Sequence, residues 1–254
     1  MRRDIDEALN DWAYDPDPGA LTVRQVRTRD GRWVIQIRKE LGLMQMECDG
    51  RPDGARPHGF STYLDYLRYR AERRVQTGTT DPDWLFTPDH CLNIEREFMQ
   101  FYHRRVAWLA LNRYDKVLLD AHHTLSLMNF VRAHFTQVDY IDSHERFRGM
   151  VYFHETQART GIALEENNPE KAIDAIRQGV LQIGHHLEEW QESHGEDDET
   201  ELPDSELLDQ LREIEAAIRK RYDVGKTLHE QLHEAIVNED YEQAAQIRDR
   251  MNGH

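Results

Sequence analysis

The chain has 254 residues, with 48 Asp+Glu against 32 Lys+Arg and a formal charge of -16. That length suits one large domain or two small ones, and the acidic balance argues against a nucleic-acid coat, which needs a basic footprint to release counterions from phosphate. Cys48 and Cys91 are too few for a disulfide framework or a four-thiolate zinc site, the start MRRDIDEALNDW lacks an apolar signal region, and the longest apolar run, 106–111, is far short of the ~18 residues of a membrane span, so a cytoplasmic protein is expected.

A short helix is expected at Ile5 to Trp12, followed by the turn cluster DPDPG. LTVRQVRT and RWVIQIRK then flank Asp30-Gly31, and Asp-Gly between alternating segments predicts a β-hairpin. Trp33, Ile35 and Ile37 are expected on one face, with Leu41 to Cys48 as a third antiparallel strand. One apolar face of three strands needs a helix over it. The next helix, from Ser61 to Gly78, offers Leu64, Leu67 and Ala71 as the covering stripe. Its tyrosines (Tyr63, Tyr66, Tyr69) interleave with Arg68, Arg70, Arg73 and Arg74. That is a pattern which could stack single-stranded nucleic acid, but is read here as a packed helix with a solvated arginine face. Between the sheet and this helix lies the Gly-Pro-Arg loop 49–59. With Arg51 and Arg56 it could cradle an anion through its backbone N–H groups, which gives the alternative of a small-molecule or anion-binding, enzymatic domain. It lacks the Lys-Ser/Thr ending of a phosphate loop, and a plain turn is the simpler reading.

TTDPDWLFTPDH is read as a loop ending in a helix start, with Thr87 as N-cap and Pro88 in the first turn. Helices are expected over Leu92 to Leu111, from Asn112-Arg113 to about Val131, from about Ser143 to Leu164, and after Asn167-Asn168-Pro169 to Trp190. Two of the joints, in LALNRYDKVLLDAHHTL and GIALEENNPEKAIDAIRQGVL, resemble tetratricopeptide hairpins. Equivalent positions Val117 and Ala172 are 55 residues apart, not the ~34 of a true array, so a repeat-like four-helix body is expected rather than a solenoid. Residues 188–209 carry eleven Asp or Glu and no Lys or Arg, a composition that self-repels and predicts a flexible acidic linker. Leu207, Leu211, Ile214 and Ile218 then mark a helix with a narrow apolar seam.

Four candidate chemistries arise from residue types alone. His229-Glu230-Gln231-Leu232-His233 is a literal HExxH, the pattern of zinc proteases, but a catalytic zinc needs a third protein ligand and none follows at suitable spacing. His122-His123 and His185-His186 are adjacent pairs whose side chains diverge by about 100° on a helix, so one packed and one wet histidine is expected in each. Cys48 and Cys91 read as small core residues. The carboxylates offer no pair marked for acid–base work. No catalytic residue, metal site or cofactor is assigned.

The best-patterned stretch is 228–251, LHEQLHEAIVNEDYEQAAQIRDRM. It reads as two short amphipathic helices joined at Asn238-Glu239-Asp240. Leu228, Leu232, Ala235, Ile236, Glu239, Asp240, Tyr241, Glu242, Ala244, Ala245, Ile247, Arg248 and Asp249 fit the pattern of the UVR (UvrB/UvrC) motif, which this stretch resembles. In that family the hairpin lets an excision-repair helicase and nuclease grip one another, and it recurs in bacterial stress adaptors and Clp-type unfoldases. The resemblance implies a protein–protein contact module without intrinsic catalysis, binding another UVR-motif protein (UvrB/UvrC-like or Clp-type) or itself, and those thirteen residues as its partner-binding set. A hairpin this small cannot bury its own apolar face alone, so a cover is needed, either from a partner or from the Leu207–Ile218 helix of the same chain. The remainder resembles uncharacterised bacterial proteins that carry a UVR motif on a helical body. The expected fold is mainly α (α+β): a β-hairpin plus helix unit (1–78), a tetratricopeptide-like helical body (79–190), an acidic linker (191–203), and a helix plus UVR hairpin (204–254).

Overall fold

Three antiparallel strands, β1 (Val23–Arg27), β2 (Trp33–Lys39) and β3 (Gly42–Glu47), lie in the order β1-β2-β3 in the computed structural model, which describes residues 5–17, 21–78, 84–195 and 204–252. The expected DPDPG turn therefore falls partly outside the described residues, and TTDPD (79–83) and 196–203 of the expected acidic linker wholly so. Its first residues, 191–194, are helical. Gly31 closes the first hairpin at φ 90, with Thr28 N–H donating to Arg32 O at 2.8 Å. Val34, Ile35 and Ile37 are buried, whereas Trp33 is 54% exposed. Trp33 pairs with Arg27 at the end of the sheet, so it shares the parity of Ile35 and Ile37 without sharing their cover.

The helices are α1 (Asp6–Asn10), α2 (Tyr63–Thr77), α3 (Pro88–Ala110), α4 (Tyr114–His134), α5 (Val138–Glu145), α6 (Arg148–Glu165), α7 (Pro169–His194), α8 (Asp204–Tyr222), α9 (Leu228–Val237) and α10 (Tyr241–Asn252). Mainly helical architecture with one small sheet is as the sequence predicts, and Thr87 caps α3 by accepting the His90 N–H at 3.3 Å. The single helix expected from Ser143 to Leu164 is instead α5 and α6, joined at Arg148, whose guanidinium holds both oxygens of Glu145 and the side-chain oxygen of Asn129. None of the described helices is long and apolar enough to cross a membrane.

The chain divides into two compact units, Met1–His154 and Glu155–His254, with the cut inside α6; the sequence reading divides at 78, 190 and 203. In the first unit, α3 is the helix that approaches β2. The expected cover, α2, packs elsewhere: Leu64 and Leu67 join Tyr63, Tyr66, Ile94, Phe98, Leu127 and Met128 in one apolar cluster, with Ala71 at its margin. Tyr63 and Tyr66 are thus core residues and not an aromatic binding face, and only Tyr69 of the three is exposed.

Buried charge ties this unit together. Glu97 of α3 is fully buried and accepts the Tyr63 and Leu64 N–H groups at 2.5 and 3.0 Å, adding to the Thr62 cap at the start of α2. Its Oε1 also lies 3.0 Å from His123 Nε2, and the His123 ring stacks on Phe101. Arg104 grips Asp120 of α4 through two contacts, at 2.9 and 2.7 Å, and donates to the carbonyls of Glu47 and Gly50 at 3.0 and 2.8 Å. Arg105 donates to Thr124 Oγ1 and to His154 Nδ1. Burial lowers Arg105 to about 10 and, with the Arg105 charge beside it, His154 to about 3, so His154 is the neutral acceptor of this pair.

In the second unit, α7 turns Ala172, Ile173, Ile176, Gly179, Ile183, His186 and Trp190 inward. Its neighbour α8 buries Leu207, Leu211 and Ile218, with Ile214 at the margin, as the seam predicts. Gly179 of α7 lies against Thr156 of α6: a Cβ there would overlap Thr156 Oγ1 and lie 2.6 Å from its Cγ2. Gly179→Ala should therefore lower the unfolding free energy by about 1–3 kcal/mol through overpacking, although alanine is intrinsically the better helix former by ~1 kcal/mol. Thr156→Ala in the same chain should restore part of the loss. Urea unfolding of the two variants checks this, and a stabilised Gly179→Ala would contradict it.

Candidate interaction site

The hairpin α9–α10 is entered through a capping box. Thr227 Oγ1 accepts the Glu230 N–H at 3.3 Å, and Glu230 Oε2 accepts the Thr227 N–H at 2.7 Å, so each residue satisfies an orphan donor of the other. The same two residues anchor the hairpin to its neighbours. Asp174 of α7 accepts the Thr227 hydroxyl at 3.2 Å and sits 2.6 Å from His229 Nδ1. Glu230 Oε1 meets Arg219 of α8 at 2.7 Å and Arg177 of α7 at 3.2 Å. Burial alone would raise the Glu230 carboxyl, but the Thr227 N–H and the two guanidinium groups outweigh it and hold the group below its ordinary value. The first two residues of HExxH are therefore taken up by the anchor, while His233 is exposed. Among the described residues no three His, Cys, Asp or Glu side chains are placed to hold a metal ion.

The turn between the helices is made by Glu239 at φ 57. Asp240 N–H reaches back to Ala235 O at 2.8 Å, and Asp240 Oδ1 accepts the Gln243 N–H at 3.0 Å, capping α10. The same backbone joint recurs between other helices. At Asn167 (φ 54) the next residue donates to Ala163 O and its side chain caps Lys171, and at Asn112 (φ 53) the next residue donates to Trp108 O. A left-handed residue whose successor donates back to the end of the preceding helix is thus the shared local geometry, and Asn112 and Asn167 tolerate that conformation with less strain than Glu239.

The predicted partner-binding residues sort into two groups. Ala235 and Ile247 are 2% and 3% exposed, and Leu228, Leu232 and Ala244 are half-buried. Glu239, Asp240, Tyr241, Glu242, Ala245, Arg248, Asp249 and Ile236 are exposed. Ile236, Val237 and Tyr241 are 51%, 66% and 69% exposed and flank the turn between the two helices. Val237 escaped the sequence reading, although it adjoins Ile236. Thr227 escaped it too, although T-x-x-E ahead of an apolar run is a legible helix start.

The other candidates are absorbed by structure. Arg51 is 3% exposed and held by Asp53 at 3.2 Å and Gln100 at 3.3 Å, so it is not poised for an incoming anion; Arg56 is exposed at the rim of the same cleft, about 390 Å³. His122 and His185 are exposed while His123 and His186 are packed. Cys48 and Cys91 are free and half-buried, and burial pushes both thiols up.

No curated protein and no solved structure matches the chain. Residues 226–253, which take in the capping box, both helices and the turn between them, match the family model of the UvrB/uvrC (UVR) motif.

Proposed function

We propose that the protein is a non-catalytic, cytoplasmic adaptor or scaffold that grips another protein through its UVR hairpin. The partner is another UVR-motif protein, UvrB/UvrC-like or Clp-type, or a second copy of the chain, which links the adaptor to nucleotide-excision repair or to Clp-type stress proteolysis. The observation that carries this reading is the trio Ile236, Val237 and Tyr241, left largely in water on a hairpin whose base is fixed by Asp174, Arg177 and Arg219. Large apolar side chains left exposed on an anchored element mark docking sites, and tyrosine is among the residues that contribute most there. The helical body presents the hairpin; its repeat-like joints suit a scaffold.

The test is capture by the immobilised full-length chain of purified UvrB-like, UvrC-like and Clp-type proteins, with Tyr241→Ala alongside. The expected result is retention of at least one of them, weakened about tenfold or more by the substitution. Failure to retain any of them, by a chain that also stays monomeric, would overturn the proposal.

A further inference from the structure

We propose that the hairpin docks into an apolar pocket rimmed by Lys and Arg on a different protein, and not onto a second copy of this chain. This rests on the reading of the hairpin as a docking module and narrows the class of its partner. The turn that carries the apolar trio is acidic. Glu239, Asp240 and Glu242 are all exposed, and none of them forms an ion pair among the described residues. Asp240 spends one oxygen on the Gln243 N–H. The nearby cation Lys226 is already bound to Glu234 at 2.7 Å. Arg248 lies seven residues beyond Tyr241, about 10 Å along the helix, so the rim of the trio is negative.

The surroundings point the same way. Residues 155–254 hold 25 Asp+Glu against 10 Lys+Arg, whereas residues 1–154 hold 23 against 22. Nearly all of the chain's net charge therefore belongs to the unit that carries the hairpin. Bringing two such units together at their turns would set carboxylate against carboxylate around a desolvating apolar centre. Like charges facing one another across an interface disfavour the wrong partner and slow its encounter, while opposite charges steer the right one. Salt screens this over a Debye length of about 8 Å, but less so at contact. The complement of an apolar trio with an acidic rim is an apolar pocket with a basic one.

Two measurements on the full-length chain test this. The first is titration of a helical Leu/Lys peptide and of the same peptide with Glu in place of Lys. The Leu/Lys peptide should bind at least tenfold tighter, Tyr241→Ala should weaken it about tenfold, and Glu239→Lys/Glu242→Lys should reverse the preference. Circular dichroism confirms that each variant is folded. The second is sedimentation, in which the wild-type chain should be a monomer. Equal binding of the two peptides that is still lost in Tyr241→Ala would overturn the proposed partner class and leave the docking module standing. A dimer that Tyr241→Ala dissolves would do the same by making a second copy the occupant. If Tyr241→Ala changes neither measurement, the docking module itself falls.

Discussion

Replacing Arg104 with methionine is expected to cost about 3–5 kcal/mol of stability, because it removes one partner of a buried ion pair and leaves the other charged and dry. Asp120 is 3% exposed and receives two contacts from the guanidinium, whose third nitrogen also satisfies the carbonyls of Glu47 and Gly50. One side chain thus fastens α4 and the end of β3 to α3. Methionine fills much of the volume but can donate to none of these oxygens. Urea unfolding of the wild type and Arg104→Met gives the difference. Adding Asp120→Leu should return part of the loss, since the double variant leaves no unpaired charge. A loss below about 1 kcal/mol, the range of an exposed pair, would show that the contact is not buried in solution.

Local signals were readable where a few neighbouring residues decide the structure. Asp30-Gly31 places the first β-turn, Thr87-Pro88 opens α3, and the break at Asn238-Glu239-Asp240 separates α9 from α10. What depends on distant partners was not. Tyr63 and Tyr66 interleave with arginines as an exposed aromatic face would, and only the arrival of α3 and α4 puts them in a core. Nothing beside Glu97, Asp120 or Asp204 in sequence distinguishes them from the other carboxylates among 48, yet all three are buried. The hairpin shows both cases. Its helices and turn follow from pattern alone, whereas the role of His229 depends on Asp174, 55 residues earlier. The thirteen motif positions could not be divided into inward and outward by pattern either. Ala235 and Ile236 are neighbours in one apolar run, and only the folded arrangement buries the first and leaves the second in water.

Asp204→Asn should stabilise the protein at neutral pH and leave it unchanged in mild acid. Asp204 opens α8 and is fully buried, with both carboxylate oxygens lacking a hydrogen-bond donor and His186 Nε2 3.9 Å from the nearer one. Burial pushes its carboxyl up to about 6, against ~3.9 for an unfolded aspartate. The folded state therefore holds this proton more tightly than the unfolded chain. Between roughly pH 4 and 6 it binds more protons, so stability falls as pH rises through that window. The contribution is fully present below about pH 4 and lost above about pH 6, a swing on the order of 3 kcal/mol. Asparagine has the same shape, remains a good residue for a helix start and carries no charge at any pH. The difference in unfolding free energy between Asp204→Asn and the wild type should accordingly be near zero at pH 4 and grow to its full size by pH 7. A difference that stays flat across this range would mean that the Asp204 carboxylate is paired or hydrated in solution, and that burial does not set its charge.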